Sequence, residues 1–370
     1  MKPLPLEMQQ ALVDAALSPL RVLTPSMPTA DELLPLLRRI DAARVYVNNG
    51  PLLRELEARC QRLFGAPMVA VSNGTLAIEL ALRALDLPPG AGVIVPAVTY
   101  VATALAVVNA GLRPVVVDVE PRTWRLDAAY AREIARERPD VAAVIPVAAY
   151  GAPVPVEPWE ALAETTGLAV VVDAAGCLLQ QRASDRLTTC YSLHATKAVG
   201  AGEGGLVASA SDALRARVAD LACFGRGGTN AKMSEYHAAV ALASLDLGRL
   251  EAKRVHSFML EAAYVEHLPR SCALQSGAMQ THRTLFPVLL PPRAPRAAQV
   301  EQRLASEGIE SKRWYRPFLS ERGEFFECRE GAFAVTDALA AHMLGLPFHG
   351  LMQEADVARV CAALERAIAS

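Results

Sequence analysis

The sequence predicts an α/β protein built on a mainly parallel sheet with helices on both faces, and three observations predict it. Short, wholly apolar runs recur through the first two thirds of the chain, they alternate with Ala/Leu-rich stretches of helical length, and the pattern loosens after about residue 250. Runs without polar alternation belong to strands buried on both faces, the situation of a parallel strand covered by helices.

Taken in order, the strand-like runs are Val93-Ile94-Val95, Pro114 to Val117, Ala143 to Val147 and Leu168 to Val172. Helix-forming sequence lies between them at Thr75 to Leu85, Val101 to Asn109 and Trp159 to Thr166, which gives the strand–helix alternation of an α/β architecture. Beyond Leu250, a proline-rich stretch from Pro287 to Pro295 precedes helix-like Ala297 to Glu307 and an amphipathic helix from Glu354 to Ala369. That pattern predicts a smaller α+β domain. The first residues, with Pro3, Pro5, Pro19 and Pro25, read as an irregular lead-in with one short helix. The expected organisation is a lead-in over 1–25, a large domain over 26–248 and a small C-terminal domain over 249–370. Without a low-complexity linker between them, the two domains should pack tightly.

Composition narrows the function classes. A chain of 370 residues with 52% hydrophobic and 21% charged residues is long enough for a large core and a second domain. Its formal charge of -2 provides no basic field for nucleic acid or a membrane surface, so small-molecule chemistry is expected. No apolar run reaches the length of a membrane span, the start lacks the features of a signal peptide, and a cytoplasmic location is expected. The seven cysteines, at 60, 177, 190, 223, 272, 328 and 361, contain no Cys-x-x-Cys pair and read as reduced, mostly buried thiols.

The residue that points to chemistry is Lys197. Positive charge comes almost entirely from arginine, with lysine only at 2, 197, 232, 253 and 312. Lys197 ends the run Ser192-Leu193-His194-Ala195-Thr196-Lys197, just before Gly200-Ala201-Gly202-Glu203-Gly204-Gly205. A lysine can form a Schiff base where arginine cannot, and the small residues beyond it leave room for pyridoxal phosphate. Asp173 directly follows the run Leu168 to Val172, at the carboxyl end where open α/β sheets bind ligands; a carboxylate there can pair with the cofactor's ring nitrogen or simply cap a helix. Ser72-Asn73-Gly74-Thr75 opens a helix and suits either a phosphate or an ordinary capping turn, and Ser192 could add a hydroxyl to the same phosphate. Tyr100, emerging at the same end of the sheet, could stack on a cofactor ring or serve packing alone.

Together these motifs resemble a family. Ser-Asn-Gly-Thr, Pro-x-x-Thr-Tyr-x-Ala-Thr, Asp-Ala-Ala, Ser-x-His-x-Thr-Lys with Gly-Glu-Gly-Gly, and Gly228 to Glu235 follow one another as in the DegT/DnrJ/StrS aminotransferases, and the likeness runs from Asn49-Gly50-Pro51 to Gly345-Leu346-Pro347. The resemblance implies fold type I of the pyridoxal phosphate enzymes, with a mainly parallel seven-stranded sheet in the large domain. It implies that Lys197 forms the Schiff base and shuttles the proton, Asp173 binds the ring nitrogen, Tyr100 stacks on the ring, and Gly74, Thr75 and Ser192 hold the phosphate. Asn230 matches an asparagine that reaches the phosphate of the neighbouring subunit, which implies a homodimer with shared active sites. The implied reaction moves an amino group from glutamate or glutamine to a ketone, such as a nucleotide-linked keto sugar or a keto cyclitol.

The chain departs from the family pattern in places. Gly176 stands where relatives carry Gln or His, Trp314 and Leu319 replace two histidines, and His237 stands where many have glutamine. Trp314, Tyr315 and Arg316 are therefore the candidates for touching the acceptor, in a pocket made more apolar or aromatic. His194 is read as structural. Alternative readings are elimination chemistry on a sugar, which some relatives perform with histidine in place of the lysine, and a catalytically silent binding protein. Retention of Lys197 argues against the first, and its presence with Asp173 and Ser192 against the second.

Overall fold

The apolar runs form the centre of a seven-stranded sheet. The computed structural model describes residues 19–278 and 282–369, so most of the expected lead-in, with its short helix, lies outside the described residues. The first half runs α1 (Ala30–Ala43), α2 (Pro51–Phe64), β1 (Met68–Val71), α3 (Gly74–Ala84), β2 (Gly92–Pro96), α4 (Ala102–Asn109), β3 (Arg113–Val117), α5 (Ala128–Glu137), β4 (Val141–Val144) and α6 (Val156–Thr166). There follow β5 (Ala169–Asp173), β6 (Thr188–Ser192), β7 (Gly205–Ala208), α7 (Asp212–Ala222), α8 (Glu235–Ser244), α9 (Leu247–His267), β8 (Ala273–Leu274), β9 (Phe286–Leu289), α10 (Ala297–Ser306), α11 (Ala334–His342), β10 (Met343–Leu346) and α12 (Glu354–Ala369).

The sheet order is β1-β7-β6-β5-β4-β2-β3, parallel throughout except that β7 runs antiparallel to both of its neighbours. Successive residues of a strand point to opposite faces. Ile94, Val115, Val144, Val170 and Val172 therefore enter one core, while Val93, Val95, Val116 and Val171 enter the other. Every one of these positions is buried, which is why the runs show no polar alternation. The sheet also recruits β6, whose Thr-Thr-Cys-Tyr-Ser sequence is fully buried without being apolar, and the short β1 and β7. These three were not apparent as strands. The run 143–147 leaves the ladder after Val144, though Val147 still bridges to Asp173.

A third core lies between the antiparallel sheet β10-β9-β8 and helices α9, α10 and α12. At its centre the Tyr264 and Phe286 rings stack 4.2 Å apart, and the Tyr264 hydroxyl donates to the Pro347 carbonyl at 2.6 Å. The segment between these elements returns to the large sheet: Leu319, Phe325, Phe333 and Leu339 pack into one of its two cores.

Helix α2 begins at Gly50-Pro51 with no side-chain cap of its own. The buried Glu235 carboxylate, from the start of α8, instead accepts hydrogen bonds from the Leu52 and Leu53 amides at 2.8 and 2.9 Å. Gly50 is required by this approach, since a Cβ there would lie 2.5 Å from the Glu235 carboxyl carbon. Glu235→Ala leaves two buried amides unsatisfied and should cost about 2–4 kcal/mol, read as a lowered urea midpoint with unchanged slope. An unchanged midpoint would show that the cap contributes nothing.

Candidate active site

Four chain segments converge at the carboxyl ends of the parallel strands, where α/β sheets place their ligands. Asp173 ends β5, the segment Ala97 to Val101 follows β2, the start of α3 follows β1, and the connection between β6 and β7 carries Lys197. That connection, residues 193–204, returns on itself because its strands are antiparallel, with Ser192 opposite Gly205. It is held by Leu193 N–H to the Gly204 carbonyl, Ala195 N–H to the Gly202 carbonyl and Lys197 N–H to the His194 carbonyl. Gly74, Thr75, Tyr100, Asp173, Ser192 and Lys197 line one cavity of about 530 Å3, within the range of small-molecule sites.

Asp173 is 6% exposed, and burial raises its pKa above the usual carboxylate range. Three groups oppose that shift. The Thr103 hydroxyl donates to Oδ2 at 2.7 Å, the Ala175 amide donates to Oδ1 at 3.1 Å, and the charge of Lys197 acts on the carboxylate. Because Thr103 spends its proton on Asp173, the Thr99 hydroxyl at 2.7 Å donates to Thr103 in turn. Lys197 is affected in the complementary way: burial lowers its pKa, and the Asp173 charge partly restores it. A depressed lysine pKa enlarges the neutral fraction that can act as nucleophile or base.

Opposite this pair, Asn73 caps α3 by accepting from the Leu76 amide at 2.9 Å. The first amides of a helix lack intrahelical partners and suit an anion. Two glycines allow the helix start to press against the sheet. A Cβ on Gly74 would come within 2.8 Å of the Ser192 Cβ, and one on Gly205 would come within 2.3 Å of the Asn73 carbonyl oxygen. Free helix amides, the hydroxyls of Thr75 and Ser192, a carboxylate and a poised amine form a donor set that fits pyridoxal phosphate.

The remaining wall is aromatic. Tyr315 stacks on Tyr150 with centroids 4.9 Å apart and meets Tyr100 edge-on at 5.9 Å, while the Tyr150 hydroxyl donates to the Trp314 carbonyl at 2.9 Å. Trp314 covers Gly345 so closely that a Cβ there would lie 2.3 Å from its ring. Gly176 also lines the cavity, and a Cβ on it would come no nearer than 3.7 Å to Gly151. Packing does not demand that glycine.

Not every residue singled out from the sequence reaches the cavity. Arg316 is engaged elsewhere, paired with Glu321 and donating to the Ala340 carbonyl at 2.6 Å. This removes it from the acceptor candidates, since its guanidinium is spent on bracing its own loop. Leu319 is also displaced from the expected pocket wall: it is fully buried in the core. His237 bonds to Ser234 and packs near Gly202, supporting the glycine loop. His194 lines the cavity with its Nδ1 2.9 Å from the Thr196 hydroxyl. Asn230 is exposed and lies outside this chain's cavity. Thr99 and Thr103, which hold Asp173, stood in the Pro-x-x-Thr-Tyr-x-Ala-Thr motif without being recognised as its partners.

Comparison with known proteins gives the family. Residues 29–365 match the DegT/DnrJ/EryC1/StrS aminotransferase family. The chain belongs to that family. It is a pyridoxal phosphate-dependent aminotransferase. The chain is 31% identical over 360 residues to the UDP-N-acetyl-3-dehydro-alpha-D-glucosamine 3-aminotransferase of Acidithiobacillus ferrooxidans, covering 92% of this chain and 95% of that one. It is 30% identical over 321 residues to the GDP-perosamine synthase of Caulobacter vibrioides, covering 81% and 85% respectively. The crystal structure of DesI in the presence of its TDP-sugar product superposes with a TM-score of 0.86 at 30% identity, over 94% of this chain and 93% of that one. Among the described residues of the aminotransferase, no helix is long and apolar enough to cross a membrane.

The Asp173–Lys197 coupling has a measurable sign. In the cofactor-free protein, Asp173→Asn removes the charge that holds the lysine pKa up, so the pH profile for reductive methylation of Lys197 should move to lower pH. A shift to higher pH, followed by mass spectrometry, would contradict the coupling.

Proposed function

We propose that this aminotransferase takes an amino group from glutamate or glutamine and places it on the ketone of a nucleotide-linked sugar. The observation that carries the reading is Lys197 and Asp173 facing one cavity beside the start of α3, in a chain about 30% identical, over most of its length, to enzymes named for nucleotide-linked sugars. When bound, pyridoxal phosphate supplies the electron sink for breaking the bond to hydrogen next to the nitrogen. The roles of the protein groups follow from their surroundings. Thr103 and the Ala175 amide fix the Asp173 carboxylate, which would balance positive charge on the ring nitrogen. Lys197 would hold the cofactor through its amine, and its lowered pKa suits the same amine to take up and return a proton. Gly74, Thr75 and Ser192 would take the phosphate at the helix start, and Tyr100, which lines the same cavity, would stack on the ring.

On the same reading, the large domain (26–248) carries the cofactor and the small domain (249–370) closes the site with Trp314 and Tyr315. The exposure of Asn230 supports a homodimer in which it serves the partner's phosphate. Seven unpaired cysteines support a cytoplasmic location, where thiols stay reduced. The room beside Gly176 admits a substrate group or a water where relatives carry a longer side chain.

The test is a single-turnover absorbance measurement: the holoenzyme mixed with L-glutamate or L-glutamine alone should convert to the pyridoxamine form, and Lys197→Ala should not. Persistence of the starting band with every amino donor would overturn the reading. A second experiment separates the two departures in the small domain. Trp314→His should change kcat/KM for a ketone acceptor by about tenfold or more while leaving the donor half-reaction nearly intact. Leu319→His should instead cost about 2–4 kcal/mol of stability by burying a polar ring, seen as a lowered melting temperature. Equal loss in both half-reactions for Trp314→His would place that side chain with the cofactor.

A further inference from the structure

A second cavity, of about 360 Å3, opens beside the first and shares Leu23, Thr196, Lys197 and Thr284 with it. One wall is a face of helix α9: Lys253, His256 and Ser257, at the spacing that aligns side chains along a helix. The facing wall is His282 and Arg283, shortly before β9. Among the described residues, none of the lining side chains is acidic.

Buried polar groups normally have partners, and those left without one call for an explanation. Here they cluster. His256 Nε2, Ser257 Oγ, His282 Nδ1, and Arg283 Nε and Nη1 are all buried without a hydrogen-bond partner. Ser257 and His282 are 5% exposed and Arg283 is 2% exposed. Arg283 uses only one end of its fork internally: Nη2 lies 3.1 Å from Glu261 and donates to the Ala278 carbonyl. Lys253 gives two of its three N–H groups to the Ser26 and Ala198 carbonyls, at 3.0 and 3.2 Å. Burial and nearby Arg249 lower its pKa to about 8, so it is still mostly protonated at neutral pH. Two cations, the unpartnered Ser257 hydroxyl and the unpartnered Arg283 N–H groups, all on residues that line a space without a carboxylate, match an oxyanion.

We propose that this cavity binds an oxyanion of the substrate, holding it while the reacting carbon lies at Lys197. The inference rests on the aminotransferase reading for the identity of the anion, which is either a carboxylate of the amino donor or the diphosphate of a nucleotide-linked acceptor. In a two-stage transfer the two substrates occupy the site in turn, so one subsite can serve both.

Calorimetric titration of the holoenzyme with inorganic phosphate and with glutarate tests the subsite directly. Lys253→Met should weaken binding of both by about tenfold or more, the loss expected for a charge-assisted contact. A double variant, Arg283→Met with Glu261→Met, removes the buried pair together and should behave likewise. If folding fails in the double variant, Lys253→Met still decides. Failure of both anions to bind the wild type, or equal affinity in the wild type and Lys253→Met, overturns the proposal. The source of the anion follows from two further readings on Lys253→Met. A raised half-saturation for L-glutamate marks the donor carboxylate, weakened binding of UDP, GDP or dTDP marks the acceptor diphosphate, and both changes mark a shared subsite. Loss of phosphate binding in Lys253→Met, in an enzyme that L-glutamate and L-glutamine never convert, would keep the subsite and reject the proposed donors.

Discussion

The site depends on a carboxylate and an amine that face one cavity at the edge of the sheet: Asp173, buried at the end of β5, and the half-buried Lys197 in the connection after β6. Removing two opposite charges from water costs several kcal/mol for each ion, on the order given for buried pairs in general. Asp173 is kept in this position by the Thr103 hydroxyl and the Ala175 amide, and Thr99 orients Thr103. The same burial that raises the Asp173 pKa lowers that of Lys197, while each charge moderates the other's shift. The pair is poised because neither group is fully solvated.

The sheet topology explains how such distant residues meet. Parallel strands all finish at one edge, so the ends of β1, β2, β5 and β6 deliver their following segments to a single rim. The one strand that runs the other way, β7, has a specific consequence. It folds the β6–β7 connection back on itself as a hydrogen-bonded loop, placing Lys197 on a constrained backbone. Gly74 and Gly205 complete the geometry by letting the start of α3 lie against that hairpin. The aromatic wall is tied to the sheet from the other side, through Tyr150 stacked on Tyr315 and bonded to the Trp314 backbone.

Much of this was legible in the chain. Asp173 stood out because it follows an uninterrupted apolar strand, and Lys197 because lysine is scarce and this one sits beside a glycine-rich stretch. One cavity brings both together with Gly74, Thr75, Tyr100 and Ser192. Arg316 and Leu319 fared differently because sequence position places a residue in a loop without saying which way its side chain turns. Arg316 turns to Glu321, and Leu319 turns into the core. Strand β6 escaped notice because its threonines, cysteine, tyrosine and serine are buried by neighbours that only the complete sheet supplies.

The sequence by itself determined the alternation of the central apolar strands β2 to β5 with helices, the chemistry of the lysine and the carboxylate, and the positions at which this chain leaves its family's pattern. These are local properties: periodicity, residue type and spacing survive without knowledge of the fold. Tertiary structure alone decided that Thr103 secures Asp173 and that Trp314 faces the cavity while Leu319 does not. It also brought Lys253, His256 and Ser257 of α9 to face His282 and Arg283 across a second cavity. Such relations join residues tens of positions apart. Their energies arise from burial and from donors aimed at a shared space, which exist only once the chain has closed.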